Sequence, residues 1–448
     1  MYYGDFPHRS GRTRCGRYAP SVFKELVLTP FSSDLYLMLL AVSMIGSGFK
    51  LATAHHASGL FEFASNPVMG LIIGMVSTAL LQSSSTVTSI IVAMVAGGLP
   101  ITVAIPMIMG ANIGTSITNT IVSLGHVANK DEFRRAFHAA TVHDFFNVMA
   151  VMVFLPLEIF TGLLEKSSSY LVGIFHVDSV VAVEGINPIK AITAPVVNMV
   201  SDSLSFLSAE YAGIIKIILG VMLIVASITF MGKVMKTLMV GKAKDILHTS
   251  IGKGPVSGIA SGAVVTVLVQ SSSTTTSLMV PLVGNGILKA KDIYPFTLGA
   301  NIGTCITAVI AALAVTGSTA GLAMQIALVH LLFNVFAVVL IFGLPILRDV
   351  PLKLSSGLAN LAAEQKIYGA AYIAGLFFRS LLFSFRDNFL HGADCPGQRQ
   401  IAASFWHFVT RYRIFCFEWH WVATNSRIFA ELCYIHSAES HYSPRSSP

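Results

Sequence analysis

The chain is 448 residues long; 54% of them are hydrophobic, only 11% are charged, and the mean hydropathy is +0.71. Soluble domains carry about 25% charged residues, so this composition excludes a water-soluble globular protein, and with it a disordered chain, a coiled coil and a disulfide-stapled mini-domain. The formal net charge of +7 comes from basic residues at the N-terminus, in loops and in the tail, with no basic face interleaved with aromatics, which argues against a nucleic-acid partner. Cys15, Cys305, Cys395, Cys416 and Cys433 show neither metal-ligand spacing nor an even-numbered framework, so neither zinc nor disulfides are implied. What remains is a multi-span membrane protein.

Residues 1–33 carry Arg9, Arg12, Arg14, Arg17 and Lys24 without a small-residue cleavage site, and read as a basic cytoplasmic leader. Apolar runs long enough to cross a membrane, which takes about 20 residues, follow at 34–54, 101–124, 137–160, 211–232, 293–315 and 321–347. A weaker run lies near 367–385. Two more apolar regions, 68–98 and 256–288, are of awkward length, and each is interrupted by a polar cluster.

The chain repeats itself. Gln82-Ser83-Ser84-Ser85-Thr86 recurs as Gln270-Ser271-Ser272-Ser273-Thr274, and Gly110-Ala111-Asn112-Ile113-Gly114-Thr115 recurs as Gly299-Ala300-Asn301-Ile302-Gly303-Thr304. His143 and Asn147 correspond to His330 and Asn334, while Gly70, Gly74 and Thr78 line up with Gly258, Gly262 and Thr266. Every pair is offset by 187 to 189 positions in the same order, which is a duplication.

Loop charge orients the copies. The leader and the loop at 125–136, with Lys130, Arg134 and Arg135, belong inside; 161–210, with Glu165, Asp178, Glu184, Asp202 and Glu210 against Lys166 and Lys190, belongs outside; 233–255, rich in lysine, returns inside. These assignments agree only if each copy crosses an odd number of times, so that the second is inverted relative to the first, as in many secondary transporters. The expected fold class is therefore an all-α membrane protein, an inverted-topology repeat transporter. Its parts are a leader 1–33, a transmembrane repeat 34–160, an extracytoplasmic loop 161–210, an inverted repeat 211–347, a cytoplasmic linker with an additional helix at 348–385, and an atypical tail 386–448.

From Val68 to Leu81 there are 14 residues, so a helix there extends about 21 Å, short of the hydrocarbon thickness of about 30 Å. Two half-helices meeting at a polar turn fit better, and residues 256–288 repeat the pattern. Such re-entrant hairpins survive at depth only inside protein or beside a water-filled cavity, and two inverted ones meet near the bilayer midplane. Hydroxyls donate and accept, and a glutamine amide does both through separate atoms. Ser83, Ser84, Ser85, Ser271, Ser272 and Ser273 thus suit an oxyanion such as phosphate. The oxygens of Gln82, Thr86, Gln270 and Thr274 suit a hard cation such as Na⁺, or support the tips. Neither tip holds Lys or Arg, which favours co-bound cations that offset the anion's charge at depth. The competing reading is that small hydroxyl residues merely let helices pack closely.

Asn112 with Thr115, and Asn301 with Thr304, set an amide and a hydroxyl on one face of an apolar span; they ligate sodium, support the tips or make packing bonds. Pro106 and Pro295 are candidates for kinks. His143, Asn147, His330 and Asn334 read as structural bridges to neighbouring helices, with direct ion contact as the other reading. His143-Asp144 is the one pair with acid-base character, but no Gly-x-Ser-x-Gly nucleophile turn accompanies it, so no enzyme is expected.

The paired serine and Gly-Ala-Asn-Ile-Gly-Thr motifs, with Glu132-Phe133-Arg134-Arg135-Ala136-Phe137 leading to Thr141-Val142-His143-Asp144-Phe145-Phe146-Asn147, resemble the type II sodium-dependent phosphate cotransporter family over residues 34–385. The resemblance implies uptake of inorganic phosphate driven by sodium, with the serine clusters forming the substrate and sodium sites, Na⁺ as coupling ion and no organic cofactor. Vertebrate members carry a large outer loop with cysteines and glycosylation sequons; 161–210 has neither, which resembles the bacterial branch in a cytoplasmic membrane. Phosphate, Na⁺ and the lipid bilayer are the expected partners. A transporter of another oxyanion (sulfate or a dicarboxylate) and a passive anion channel are the alternatives. The tail from Ser384, which holds Trp406, Trp419, Trp421 and three cysteines, departs from the family pattern. It is either an amphipathic interfacial segment or the product of a shifted reading frame.

Overall fold

In a computed structural model the described residues are 29–53, 66–174, 188–250, 254–315 and 317–375. The leader up to residue 28 and the tail 386–448, with Cys15, Cys395, Cys416 and Cys433, lie outside them. Among the described residues every regular element is helical, as lipid requires of a chain that satisfies its backbone within each segment. Six helices are long and apolar enough to cross a membrane. They are α1 (Thr29–Thr53); the pair α4 (Ile101–Gly114) and α5 (Ile117–Leu124); α6 (Lys130–Thr161); the first part of α9 (Ala209–Ser250); α13 (Ala290–Leu313); and α14 (Ala320–Ala337), which runs into a π-helical turn at Val338–Phe342.

Both interrupted regions are broken helices. The first is α2 (Pro67–Leu81) followed by α3 (Ser84–Ala96); the second is α10 (Pro255–Val269) followed by two short pieces, α11 (Ser272–Ser277) and α12 (Met279–Gly284). Proline at the first turn starts both α2 and α10, where its missing N–H costs nothing. At 15 residues each, these helices extend about 22 Å.

Glycines bring each broken helix against the following span until backbones touch. A Cβ built on Gly110 would lie 1.9 Å from the Leu71 carbonyl oxygen, and one on Gly74 would lie 1.9 Å from that of Met107. The second copy repeats this: Gly299 would meet Ile259 O at 1.9 Å and Gly262 would meet Phe296 O at 2.0 Å. Pro106 and Pro295 sit inside continuous helices, and their rings fill the space opposite Gly70 and Gly258. The halves pack through buried aromatic pairs, Phe146 with Tyr294 at 6.1 Å between centroids and Phe154 with Phe333 at 5.9 Å.

Two segments expected as loops contain helix. The lysine-rich stretch 233–255 is helical as far as Ser250, because α9 continues without a break; Lys, Met, Leu and Ala are good helix formers and no Pro intervenes. The segment 161–210 holds α7 (Leu163–Ile174) and α8 (Pro188–Ser203). At the start of α7 the Glu158 carboxylate accepts from the backbone N–H groups of Leu164 at 2.6 Å and Glu165 at 3.1 Å, while Gly162 takes the left-handed turn, φ +62°. Beyond the second copy, α15 (Pro345–Glu364) lies along α6, and α16 (Lys366–Ile373) packs on α15.

Candidate functional site

The two breaks have the same construction. α2 ends on Gln82 at φ +53° and α10 on Gln270 at φ +57°, the only non-glycine residues with positive φ among those described. A left-handed backbone at a residue with a Cβ is costly, and the glutamine side chain offsets the cost. Gln82 Nε2 donates to the Ala79 carbonyl at 2.6 Å and its Oε1 accepts from the Thr118 hydroxyl at 2.6 Å. Gln270 Nε2 donates to Val267 O at 2.6 Å, and its Oε1 accepts from Thr307 Oγ1 at 3.1 Å. The next residue is extended and caps the helix that follows: Ser83 Oγ accepts from Thr86 N, and Ser271 Oγ from Thr274 N, both at 3.2 Å. Each cap also bonds the threonine hydroxyl, at 2.9 Å in both copies.

The breaks meet. Ser84 Oγ and Ser272 Oγ lie 3.4 Å apart although 188 positions separate them, and both side chains are buried, as are Ser85 and Ser273. No lysine or arginine belongs to either tip. The buried polar surface there is built from hydroxyls, flanked by the part-buried carboxamides of Gln82 and Gln270.

Beside the tips, each Asn of the Gly-Ala-Asn-Ile-Gly-Thr units is gripped by the other half. Asn112 Nδ2 donates to Asn334 Oδ1 at 2.7 Å, and Asn112 Oδ1 lies 3.2 Å from His330 Nε2. Asn301 Nδ2 donates to Asn147 Oδ1 at 2.8 Å, and Asn301 Oδ1 lies 2.8 Å from His143 Nε2. A carboxamide oxygen only accepts, so both histidines carry their proton on Nε2. Asn147 Nδ2 closes onto the Asn112 carbonyl at 2.9 Å. All six side chains are buried. The hydroxyls of Thr115 and Thr304 donate to their own helices, at Ala111 O and Ala300 O, 3.1 and 2.9 Å away.

One feature has no counterpart in the other copy. Asp144 is fully buried; its Oδ2 accepts from Thr120 Oγ1 at 3.2 Å and from Tyr372 Oη at 3.0 Å, while Oδ1 has no hydrogen-bond partner among the described residues. The position equivalent to Asp144 is Leu331. Tyr372, on α16, sits between Phe137 and Phe145. Sequence reasoning did not single out Thr118, Thr307, Asn119, Thr120 or Tyr372. The first two stand at the same offset as the asparagine motifs, so the duplication itself could have found them; Asn119, Thr120 and Tyr372 carry no such signal.

The family model described as "Na+/Pi-cotransporter" matches residues 37–174 and 223–348, more than half of the chain and both copies of every motif described above. The chain belongs to this Na⁺/Pi-cotransporter family. Among its relatives are the human sodium-dependent phosphate transport protein 2B, 33% identical over 432 residues that cover 77% of this chain and 62% of the relative. The rabbit sodium-dependent phosphate transport protein 2A is 32% identical over 442 residues, covering 82% of this chain and 68% of the relative. The chain thus spans about 62% of the length of the human protein. No solved structure matches. Both glutamine-serine tips lie within the Na⁺/Pi-cotransporter match, whereas α16 and Tyr372 lie beyond it.

Proposed function

We propose that this protein moves inorganic phosphate and Na⁺ together across the membrane by alternating access, as a symporter, with the two serine tips forming one shared site. The observation that carries the reading is the 3.4 Å approach of Ser84 and Ser272, which joins two duplicated hydroxyl clusters in the interior of a lipid-soluble chain. The names of the relatives, sodium-dependent phosphate transport proteins, supply the substrate class. In this reading Ser83, Ser84, Ser85, Ser271, Ser272 and Ser273 donate to the phosphate oxygens. Sodium ions take up the remaining oxygens of the tips and of Thr86 and Thr274, with Thr115 and Thr304 nearby. The hydroxyls of Thr86, Thr115 and Thr304 donate elsewhere, that of Thr274 accepts from Ser271, and each keeps a lone pair. Gln82 and Gln270 hold the tips in place, since their amides already have partners, and Asn112 and Asn301 fix the spans that flank them.

An isolated oxyanion at bilayer depth is strongly disfavoured, as is an isolated cation; together they lower each other's desolvation cost. Coupling follows when only the fully loaded or the empty site can switch sides. We read the two copies, 34–160 and 211–347, as inverted, and each broken helix as a re-entrant hairpin that enters from its own face, which places the tips near the midplane. The segment 161–210, lacking cysteines and sequons, supports a bacterial cytoplasmic membrane as its location. Labelled phosphate uptake into proteoliposomes holding the full chain decides the function. Accumulation is expected under an inward sodium gradient and absent when choline replaces sodium; equal uptake in both would reject sodium coupling, and sodium-driven uptake of sulfate but not phosphate would reject the substrate.

A further inference from the structure

The two serine tips are built alike but are not anchored alike. Thr276, on α11 just past the second tip, shares its one hydroxyl proton between Asn119 Oδ1 at 2.9 Å and Ser272 O of its own helix at 2.8 Å. Asn119 Nδ2 faces His143 Nδ1 at 3.5 Å, and His143 Nε2 reaches Asn301 at 2.8 Å. A chain of buried hydrogen bonds therefore runs from the second tip through α5 and α6 into α13. Among the described residues the first tip has no such link to a histidine: its Gln82 accepts from Thr118 on α5 at 2.6 Å, and no bond carries the contact on to His330. There the counterpart of Thr276 is Thr88, whose hydroxyl donates to Ser85 O of its own helix at 3.2 Å. The counterpart of Asn119 is Ala308. His330 Nδ1, the atom that would face an asparagine at that position, is buried without a hydrogen-bond partner among the described residues. Three separate differences, at Thr88, Ala308 and His330, mark the same missing link.

We propose that Asn119 is a positioning residue that ties the second serine tip to the His143 network, a link to the bundle that the first tip, held through Gln82, lacks. The inference rests on the proposed function for its transport readout only. Both ends of the Asn119 carboxamide are engaged, so the residue transmits position from the α6–α13 contact to the helix that carries Ser272 and Ser273. Its loss does not threaten folding, because the first half of the tip pair already lives with the equivalent histidine nitrogen unpaired.

The test uses the full chain in proteoliposomes and, separately, in detergent. Asn119→Ala is expected to raise the apparent KM for phosphate about five- to ten-fold, the effect of one buried hydrogen bond, with the maximal rate per folded molecule little changed. Thr276→Val is expected to give the same shift, the double variant no more than either single one, and Thr88→Val none. A merely structural role would lower the amount of folded protein and leave KM alone; that result, additive shifts in the double variant, or an equal shift from Thr88→Val would overturn the proposal. Amide hydrogen exchange on purified protein without phosphate gives an independent reading. Asn119→Ala is expected to speed exchange across 272–277 and leave 84–89 unchanged, and unaltered exchange at 272–277 would overturn it as well. If the unvaried chain takes up no phosphate, the function fails while the exchange measurement still decides this inference.

Discussion

Gly110→Ala is expected to leave no folded protein. The added methyl would stand 1.9 Å from the Leu71 carbonyl oxygen, 2.8 Å from the Leu71 carbonyl carbon and 2.9 Å from Met75 N, and all three are backbone atoms of a helix that has no side chain to move aside. Overpacking a core with one extra methylene costs about 1–3 kcal/mol when side chains can rearrange. Here two helix backbones must separate, and the close contact extends through Gly74, Gly110 and Gly114 along one interface. Gly299→Ala acts identically, with Ile259 O at 1.9 Å. The check is size-exclusion chromatography in mild detergent: each variant is expected to lose the monodisperse peak. Gly357→Ala, on α15 with no atom within 4 Å of the added methyl, is expected to keep it, and by helix propensity to gain up to about 1 kcal/mol. A monodisperse Gly110→Ala with unchanged thermal stability would show that the helices do not meet backbone to backbone.

On the proposed function, Gln82→Ala is expected to remove sodium-dependent phosphate uptake without removing the protein from the membrane. The substitution deletes a donor to Ala79 O and an acceptor for Thr118 while leaving a Cβ at φ +53°. Both bonds are part-buried, so each lost partner costs about 1 kcal/mol, and the two together lower uptake by roughly ten- to a hundred-fold. Gln82→Gly separates the causes. Glycine accepts the left-handed turn freely, so the chain can still break there, yet nothing ties the tip to α5. Gln82→Gly is therefore expected to be as inactive as Gln82→Ala but better folded, and Thr118→Val to lose only part of the activity because the bond to Ala79 survives. Gln270 and Thr307 are expected to follow the same order. Uptake by Gln82→Gly near the unvaried level would show that the amide is dispensable.

The broken helices were legible because two independent features coincide in the sequence: apolar runs too short to cross, and the same polar cluster at the same offset in both. The six long apolar helices were legible from length alone. The exchange of partners was not. Duplication says that Asn112 and Asn301 are equivalent, and nothing in it says that Asn112 turns to His330 and Asn334 while Asn301 turns to His143 and Asn147. Contact between halves is a property of packing, which offset does not encode.

Loop charge placed lysines 233–255 outside the bilayer but could not forbid helix there, since the same lysines are good helix formers. The asymmetric residues were the least visible. Asn119 and Asp144 sit where the second copy has Ala308 and Leu331, so a search for what repeats passes over them. Tyr372 lies past the duplicated spans altogether, and only the fold brings it to Asp144.

The central claim is that one phosphate binds between the two serine tips in the company of sodium. Equilibrium binding of labelled phosphate to the purified full chain tests it without requiring transport. In sodium, saturable binding of one phosphate per chain is predicted. Replacing sodium by choline is predicted to abolish it, as is either Ser84→Ala or Ser272→Ala in protein that remains monodisperse. Binding that persists in choline, or that survives the loss of both hydroxyls together, would contradict the account.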